Sequence, residues 1–247
     1  MAKSSKKRKV HSNHAENRKP TRPPLRKDAI KSKSASRQQQ QPSSKSAKVQ
    51  HPKSHIPFLD SDRILLIGEG DFSFAKSIVQ EHGCYDVTAT CYVSQDVLFE
   101  KYKPQVEEHV RYLDEEGQHV VYNVDATKLD KNKSLAKAVA TGGRFNVILF
   151  NFPHVGGKST DVNRQVRFNQ ELLVEFFQSC QMLLSHEAKV VVTLFEGEPY
   201  TLWNVRDLAR HAGLEVMTSF KFFAAAYPGY QHVRTLGNIE GGGGWKG

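Results

Sequence analysis

Gly68-Glu69-Gly70-Asp71-Phe72-Ser73-Phe74 follows the short apolar run Ile64-Leu65-Leu66-Ile67 and opens a helical pattern. Two glycines one residue apart let a backbone turn sharply after a strand and meet a ligand closely, while the helix start offers unpaired N–H groups. Gly68, Glu69, Gly70, Asp71, Phe72 and Ser73 are therefore candidate cofactor contacts. Ser73 stands where the full Gly-x-Gly-x-x-Gly signature has its third glycine, which disfavours a dinucleotide. Asp125 ends a third strand-like run, with Ala126 after it. A carboxylate there either accepts a hydrogen bond from an exocyclic amine such as adenine's or caps the next helical turn. Asn151-Phe152-Pro153-His154 ends a fourth run, 145–150, and places an amide, a proline and an imidazole together. His154 can serve there as a base or as a hydrogen-bond donor. Gly157-Lys158-Ser159-Thr160 imitates the end of a phosphate-binding loop, but that signature needs glycine where Phe152 stands and follows a different strand. A nucleotide triphosphatase is excluded on both counts. Lys158, Arg164 and Arg167 remain candidate phosphate contacts for RNA, as opposed to solvated loop charges. Near the end, Tyr230, His232 and Arg234 in Gly229-Tyr230-Gln231-His232-Val233-Arg234 combine groups suited to stacking on bases and binding phosphate.

The elements that must position these residues alternate. Strands are expected over 64–67, 86–92, 119–124, 145–150 and 189–195, and two closing strands over 214–222 and 231–236. Helices are expected over 74–82, from 95 to an interruption at Pro104, on to 116, over 132–140 and over 202–211. The longest helix presents Phe168, Leu172, Phe176, Cys180 and Leu184 down one face. Apolar strands alternating with helices mean an α/β fold with a mostly parallel, three-layer sheet. In open sheets of this kind ligands sit at the carboxyl ends of the strands, where strand order reverses.

Composition divides the chain of 247 residues in two. Residues 1–57 hold 16 Lys+Arg against 2 Asp+Glu and no aromatic residue, whereas 58–247 hold 19 against 24 and all 24 aromatics. The net charge of +9 thus belongs to a tail, and the remainder carries −5, so overall positive charge does not draw the folded part to RNA. The tail is expected to be disordered, since it lacks the apolar surface to offset ordering entropy. Within it, Lys6-Lys7-Arg8-Lys9-Val10 resembles a monopartite nuclear localisation signal, a grip for an import receptor. The domain expected after it spans 58–247. No stretch approaches the ~20 apolar residues of a membrane span, so no membrane partner is expected. Cys84, Cys91 and Cys180 support neither a disulfide framework nor a metal cluster and are expected as small core residues in a reducing compartment.

Asn151-Phe152-Pro153-His154 resembles the Asn-Pro-Pro-aromatic loop of base-directed amino methyltransferases. Taken with Gly68-Glu69-Gly70-Asp71-Phe72-Ser73-Phe74, Val124-Asp125-Ala126-Thr127-Lys128-Leu129 and Gly229-Tyr230-Gln231-His232, it makes residues 63–247 similar to the ribosomal RNA uridine-N3 methyltransferase family of the large subunit (25S). The resemblance implies a Rossmann-like class I methyltransferase fold, S-adenosyl-L-methionine as donor, methylation of a uridine at N3 in 25S rRNA, and a nuclear, nucleolar setting among pre-ribosomal particles. It implies that Gly68, Glu69, Gly70, Asp71 and Phe72 hold the methionine end, that Asp125 and Ala126 border the adenine, and that Asn151, Pro153 and His154 are catalytic and face the sulfonium and the target base. It implies no metal. Phe152 and Tyr230 are the stacking candidates for a flipped uracil.

The sequence also departs from that pattern. Leu66 stands where many class I methyltransferases carry an acid before the first glycine, and Tyr92-Val93-Ser94 replaces the acid that holds the ribose at the end of the second strand. Ser94 and Asp96 are the nearby substitutes. The resemblance also implies that family members continue past the ending Gly241-Gly242-Gly243-Gly244-Trp245-Lys246-Gly247, so a closing strand is expected to be absent from this chain. The rival expectation is a catalytically inactive RNA-binding assembly factor on the same fold, and a third, weaker one is an NAD-linked oxidoreductase.

Overall fold

The structure, a computed structural model, describes residues 55–157 and 160–233. Five strands form one sheet in the order β3-β2-β1-β4-β5, every neighbouring pair parallel. They are β1 (Ile64–Ile67), β2 (Val87–Thr90), β3 (His119–Val121), β4 (Phe145–Asn151) and β5 (Leu184–Thr193). Chain order runs outward from β1 on one side and from β4 on the other, so the reversal falls between β1 and β4, the Rossmann-like arrangement.

Period-two alternation explains why β1 is apolar throughout. Ile64 and Leu66 enter the core shared with α1 (Ser73–His82), α2 (Gln95–Tyr102) and α3 (Gln105–Glu115), while Leu65 and Ile67 enter the core shared with α4 (Lys133–Gly142) and α5 (Val162–Cys180). The expected three layers are thus present. α2 ends before Pro104 because the residue preceding a proline is pushed out of the helical region, and Lys103 is extended at φ −60°, ψ 149°. Cys84, Cys91 and Cys180 are buried and free.

Several elements differ from expectation. The buried stripe of α5 runs through Val166, Asn169, Leu173, Phe176, Phe177 and Cys180. Phe168 and Leu172 flank it, and Leu184 already belongs to β5. β5 starts five residues before the expected boundary. The segment 202–211 divides into a 3₁₀ turn, Tyr200–Trp203, and α6 (Val205–His211), with Asn204 at φ 51° between them. Residues 214–222 form no strand, nor do 231–233, and 234–236 lie outside the described residues. This segment gains burial from rings instead. Phe222 stacks on Tyr227 at 5.2 Å, Tyr227 meets Phe74 of α1 at 4.8 Å, and Tyr230 meets Phe74 at 5.5 Å. Among the described residues no helix is long and apolar enough to cross a membrane, and no group of side chains could hold a metal ion.

Candidate functional site

The carboxyl ends of β1 and β4 meet at the point of reversal, because Ile67 pairs in register with Phe150. Gly68 leaves β1 at φ +68°, and a Cβ there would lie 2.8 Å from Phe150 Cε2. Only glycine accepts both the conformation and the approach. The Glu69 N–H donates to the Thr90 carbonyl at the end of β2, and at Gly70 the place of a side chain is filled by Val233 Cγ2. The glycine turn therefore lies against β2, β4 and the segment 230–233 together.

Two acids crown the start of α1. Asp71 Oδ1 accepts the Ser73 N–H at 3.0 Å, and Glu69 Oε2 accepts the Ala75 N–H at 3.3 Å. Groups that elsewhere bind a phosphate are thus engaged by carboxyls, so the turn favours a ligand with cationic character over a pyrophosphate. Phe72, also in the left-handed region at φ 62°, is fully buried against Tyr122 and offers a ligand only its backbone. Ser73 Oγ donates to the Gln231 carbonyl and accepts the Gln231 N–H, both at 3.2 Å.

Burial raises the Glu69 carboxyl from 4.5 to about 8; the Ala75 N–H opposes the rise and Asp71 adds to it. Between those values the folded chain keeps a proton that the unfolded chain releases. The stabilisation is therefore complete below pH 4.5 and is lost as pH rises through about 8. Glu69→Gln removes this titration. Thermal unfolding should find the variant nearly level with the parent at pH 5 and above it at pH 9, by at least the ~2–4 °C that accompanies about 1 kcal/mol in a domain of this size.

Asn151 is the last residue of β4, in register with Thr193 of β5. The Thr193 Oγ1–H donates to Asn151 Oδ1 at 2.7 Å, which fixes the amide and leaves Nδ2 buried without an acceptor. Thr193 is a positioning residue absent from the sequence expectations. Phe152, at φ 50°, turns to the α1 side of the loop, where it stacks on Phe195 at 4.5 Å and meets His232 edge-on at 4.7 Å. Pro153 is buried. His154 turns to the α5 side, its ring 6.0 Å from Trp203. Phe195, Tyr200 and Trp203 complete an arc of rings from Phe152 round to His154, with centroids 5.2 and 5.1 Å apart.

His154 Nδ1 accepts the Gly156 N–H at 2.9 Å, and burial lowers its pKa. The neutral ring thus carries its proton on Nε2 and presents a donor. Burial also lowers the pKa of His232, against the opposing charge of Asp71. Tyr230 packs between Phe74 and Phe222, and its hydroxyl meets His232 Nδ1 at 3.3 Å. Burial raises its pKa, and its ring is committed to the core face and not to an open stacking surface. Asp125 Oδ1 accepts from both the N–H and the hydroxyl of Thr127, and Lys128 pairs with Oδ2 at 3.3 Å. Burial opposes ionisation there, but Thr127 and Lys128 together hold the carboxyl below the usual range. Asp125 acts in this structure as a cap, with Ala126 buried beside it. Ser94 and Asp96 stand at the start of α2, beyond the end of β2. Arg164 and Arg167 are exposed on the first two turns of α5. Lys158, Arg234 and Lys6-Lys7-Arg8-Lys9-Val10 lie outside the described residues.

The structure thus brings together the glycine turn, Asn151, Phe152 and His232 at one rim, and it places His154 on the other side of the same loop. A cavity of about 560 Å³ beside β3 is lined by Phe99, Val110 and Tyr122 among others.

The chain is similar in sequence to several known proteins. The 25S rRNA (uridine(2634)-N(3))-methyltransferase of Saccharomyces cerevisiae is 30% identical over 228 residues, covering 73% of this chain and 68% of that one. Heavy metal-associated isoprenylated plant protein 41 of Arabidopsis thaliana is 32% identical over 180 residues, 72% of this chain and 34% of that one. The ferredoxin-fold anticodon-binding domain-containing protein 1 homolog of Mus musculus is 35% identical over 182 residues, 68% of this chain and 27% of that one. This chain therefore spans about a third or less of the latter two. A family model described as rRNA (uridine-N3-)-methyltransferase BTM5-like matches residues 65–234, which include both the glycine turn and the Asn151 loop, and the chain belongs to that family.

Proposed function

We propose that this chain is an S-adenosyl-L-methionine-dependent methyltransferase acting on N3 of a uridine in large-subunit ribosomal RNA, during ribosome assembly in the nucleolus. The observation that carries the reading is the Asn151 amide. It is oriented by Thr193, buried, and left with Nδ2 unpaired at the strand reversal beside the glycine turn.

The residues present fit the cofactor. Gly68 and Gly70 leave the backbone of the turn bare, and the acids at the start of α1 suit an ammonium and a sulfonium better than a pyrophosphate. Glu69 and Asp71 would hold the amino end, and Gly68 and Gly70 its backbone path. When bound, the cofactor supplies an electrophilic methyl carbon on a sulfonium. Asn151 Nδ2 then holds a carbonyl oxygen of the base beside that carbon, and alignment of this kind contributes roughly 7–11 kcal/mol. His154, with Nδ1 engaged by Gly156, donates through Nε2, and the N3 proton leaves to water. N3 lies on the pairing edge, so the uridine must leave its helix to react.

Calorimetric titration with S-adenosyl-L-methionine, followed by mass spectrometry of nucleosides from unmodified large-subunit rRNA incubated with protein and cofactor, tests the proposal. Heat of binding and a new 3-methyluridine are expected, and failure of either overturns it. The second reading, an inactive RNA-binding scaffold, draws support from Val233 lying against Gly70 and from the lack of an acid at the end of β2. It is the reading that an absent heat of binding would leave. The basic cluster at residues 6–10 supports recognition by an import receptor.

A further inference from the structure

Two histidines flank the Asn151 loop, and the groups that meet their Nδ1 atoms differ in kind. His154 Nδ1 accepts the Gly156 N–H, a group that only donates, so the neutral ring carries its proton on Nε2. His232 Nδ1 instead lies 3.3 Å from the Tyr230 hydroxyl, which accepts as readily as it donates. Burial raises the Tyr230 pKa and keeps that hydroxyl protonated. His154 is thus confined to donating. His232 can aim an Nδ1–H at the Tyr230 oxygen and turn a basic Nε2 toward a substrate.

Placement separates the two as well. His232 stands between the two turns of the rim. On one side its ring meets Phe152, the residue after Asn151, at 4.7 Å, and Phe195 at 5.4 Å. On the other, Gln231 is bonded twice to Ser73, and the Val233 methyl fills the place of a side chain at Gly70. Asp71, 3% exposed, is near enough for its charge to act on the ring. His232 itself keeps an exposed edge that water can reach.

We propose that His232 carries the N3 proton to water, its Nε2 taking the proton from the uracil that Asn151 aligns. The inference rests on the methyltransferase reading and adds the group through which the proton leaves. The electron pair on N3 of uracil is spread into two flanking carbonyls, so N3 attacks only once its proton has gone. In the transfer the N3–H bond breaks, N3 keeps the electron pair, and the imidazole becomes an imidazolium that passes its extra proton to solvent. The Asp71 charge favours that cation. Burial of the ring's packed side holds its pKa below the ordinary 6.5, so the ring starts neutral at pH 7. Asn151 then fixes a carbonyl while His232 clears the adjacent nitrogen.

The test uses the full chain. In the free protein, long-range nitrogen–proton spectra of the imidazoles should show His232 with its proton on Nδ1 and His154 with its proton on Nε2. A neutral His232 protonated on Nε2 overturns the assignment. Single-turnover methyl transfer to large-subunit rRNA at pH 7 should fall at least about 10²-fold in His232→Ala, with the heat of S-adenosyl-L-methionine binding unchanged. The variant's rate should then climb about tenfold per pH unit as hydroxide takes over, where the parent levels off above the pKa of its ring. Asp71 and Tyr230 are the titratable groups beside His232, and Glu69, raised to about 8, adjoins Asp71. All three remain in the variant, so the difference between the two profiles belongs to His232. Added imidazole should restore at least about tenfold of the lost rate, which a purely structural role would not allow. Should His232→Ala fail to fold, His232→Gln keeps the bulk and should show the same loss and the same slope. A variant that keeps its rate, or loses it with neither rescue nor a changed slope, overturns the proposal. A parent that forms no 3-methyluridine sinks the methyltransferase reading and this assignment with it; a methylating parent beside an equally active His232→Ala sinks the assignment alone.

Discussion

Asn151→Ala should lower single-turnover methyl transfer to RNA by about 10²–10³-fold, the usual consequence of removing one preorganised donor from a reacting oxygen. The side chain has little structural work that could confuse the reading, because among the described residues its one bond is that from Thr193 Oγ1, and Nδ2 meets no acceptor there. Thermal unfolding should therefore change little while the rate collapses. His154→Ala should cost less, on the order of tenfold, because its Nδ1 serves Gly156 and the ring offers only a donor to the reaction. Thr193→Val should fall between them, since the amide would stay in place with its orientation no longer held. Radiolabelled methyl transfer under single-turnover conditions ranks all three. An inactive His154 variant beside an active Asn151 variant would reverse the assignment and make proton removal, not alignment, the main contribution.

Gly68→Ala should be among the most destabilising single-methyl changes in the domain. The left-handed conformation costs a Cβ about 1–2 kcal/mol, and pressing that Cβ to 2.8 Å from the Phe150 ring adds about 1–3 kcal/mol of overpacking. Phe150 cannot retreat, because Phe176 packs against it at 5.0 Å. Gly83→Ala is the control. It has almost the same φ, +69°, but open space where the methyl would go, so only the conformational cost applies. Denaturation midpoints should put Gly68→Ala well below Gly83→Ala. Equal midpoints would mean that the contact with Phe150 is soft.

What was legible in the sequence depended on how local the signal was. β1 and β4 carry continuous apolar runs between polar breaks, and burial on both faces leaves no other use for them. The glycine turn and the Asn151 loop were legible because each sits at the end of such a strand. In α5 the expected face is met at Phe176 and Cys180, which are buried, whereas Phe168 and Leu172 flank the stripe; beside it the Ser179 hydroxyl donates to the Ala126 carbonyl. Over 214–222 the alternation at Leu214, Val216, Phe220 and Phe222 imitates a strand, whereas burial in this part of the chain comes from rings meeting α1. Thr193 and Trp203 left no motif. A signal existed only in register and topology: Thr193 sits opposite Asn151, and Trp203 follows the strand that flanks the loop.

The paired bonds between Ser73 and Gln231 join positions 158 residues apart. A growing chain at about 5–20 residues per second makes the second partner roughly 8–30 s after the first. The turn at Gly70 therefore emerges long before its final companion exists. A polypeptide halted before residue 231 would own every glycine of that turn and still lack the clasp that closes it, so competence at this rim waits until that residue has been added.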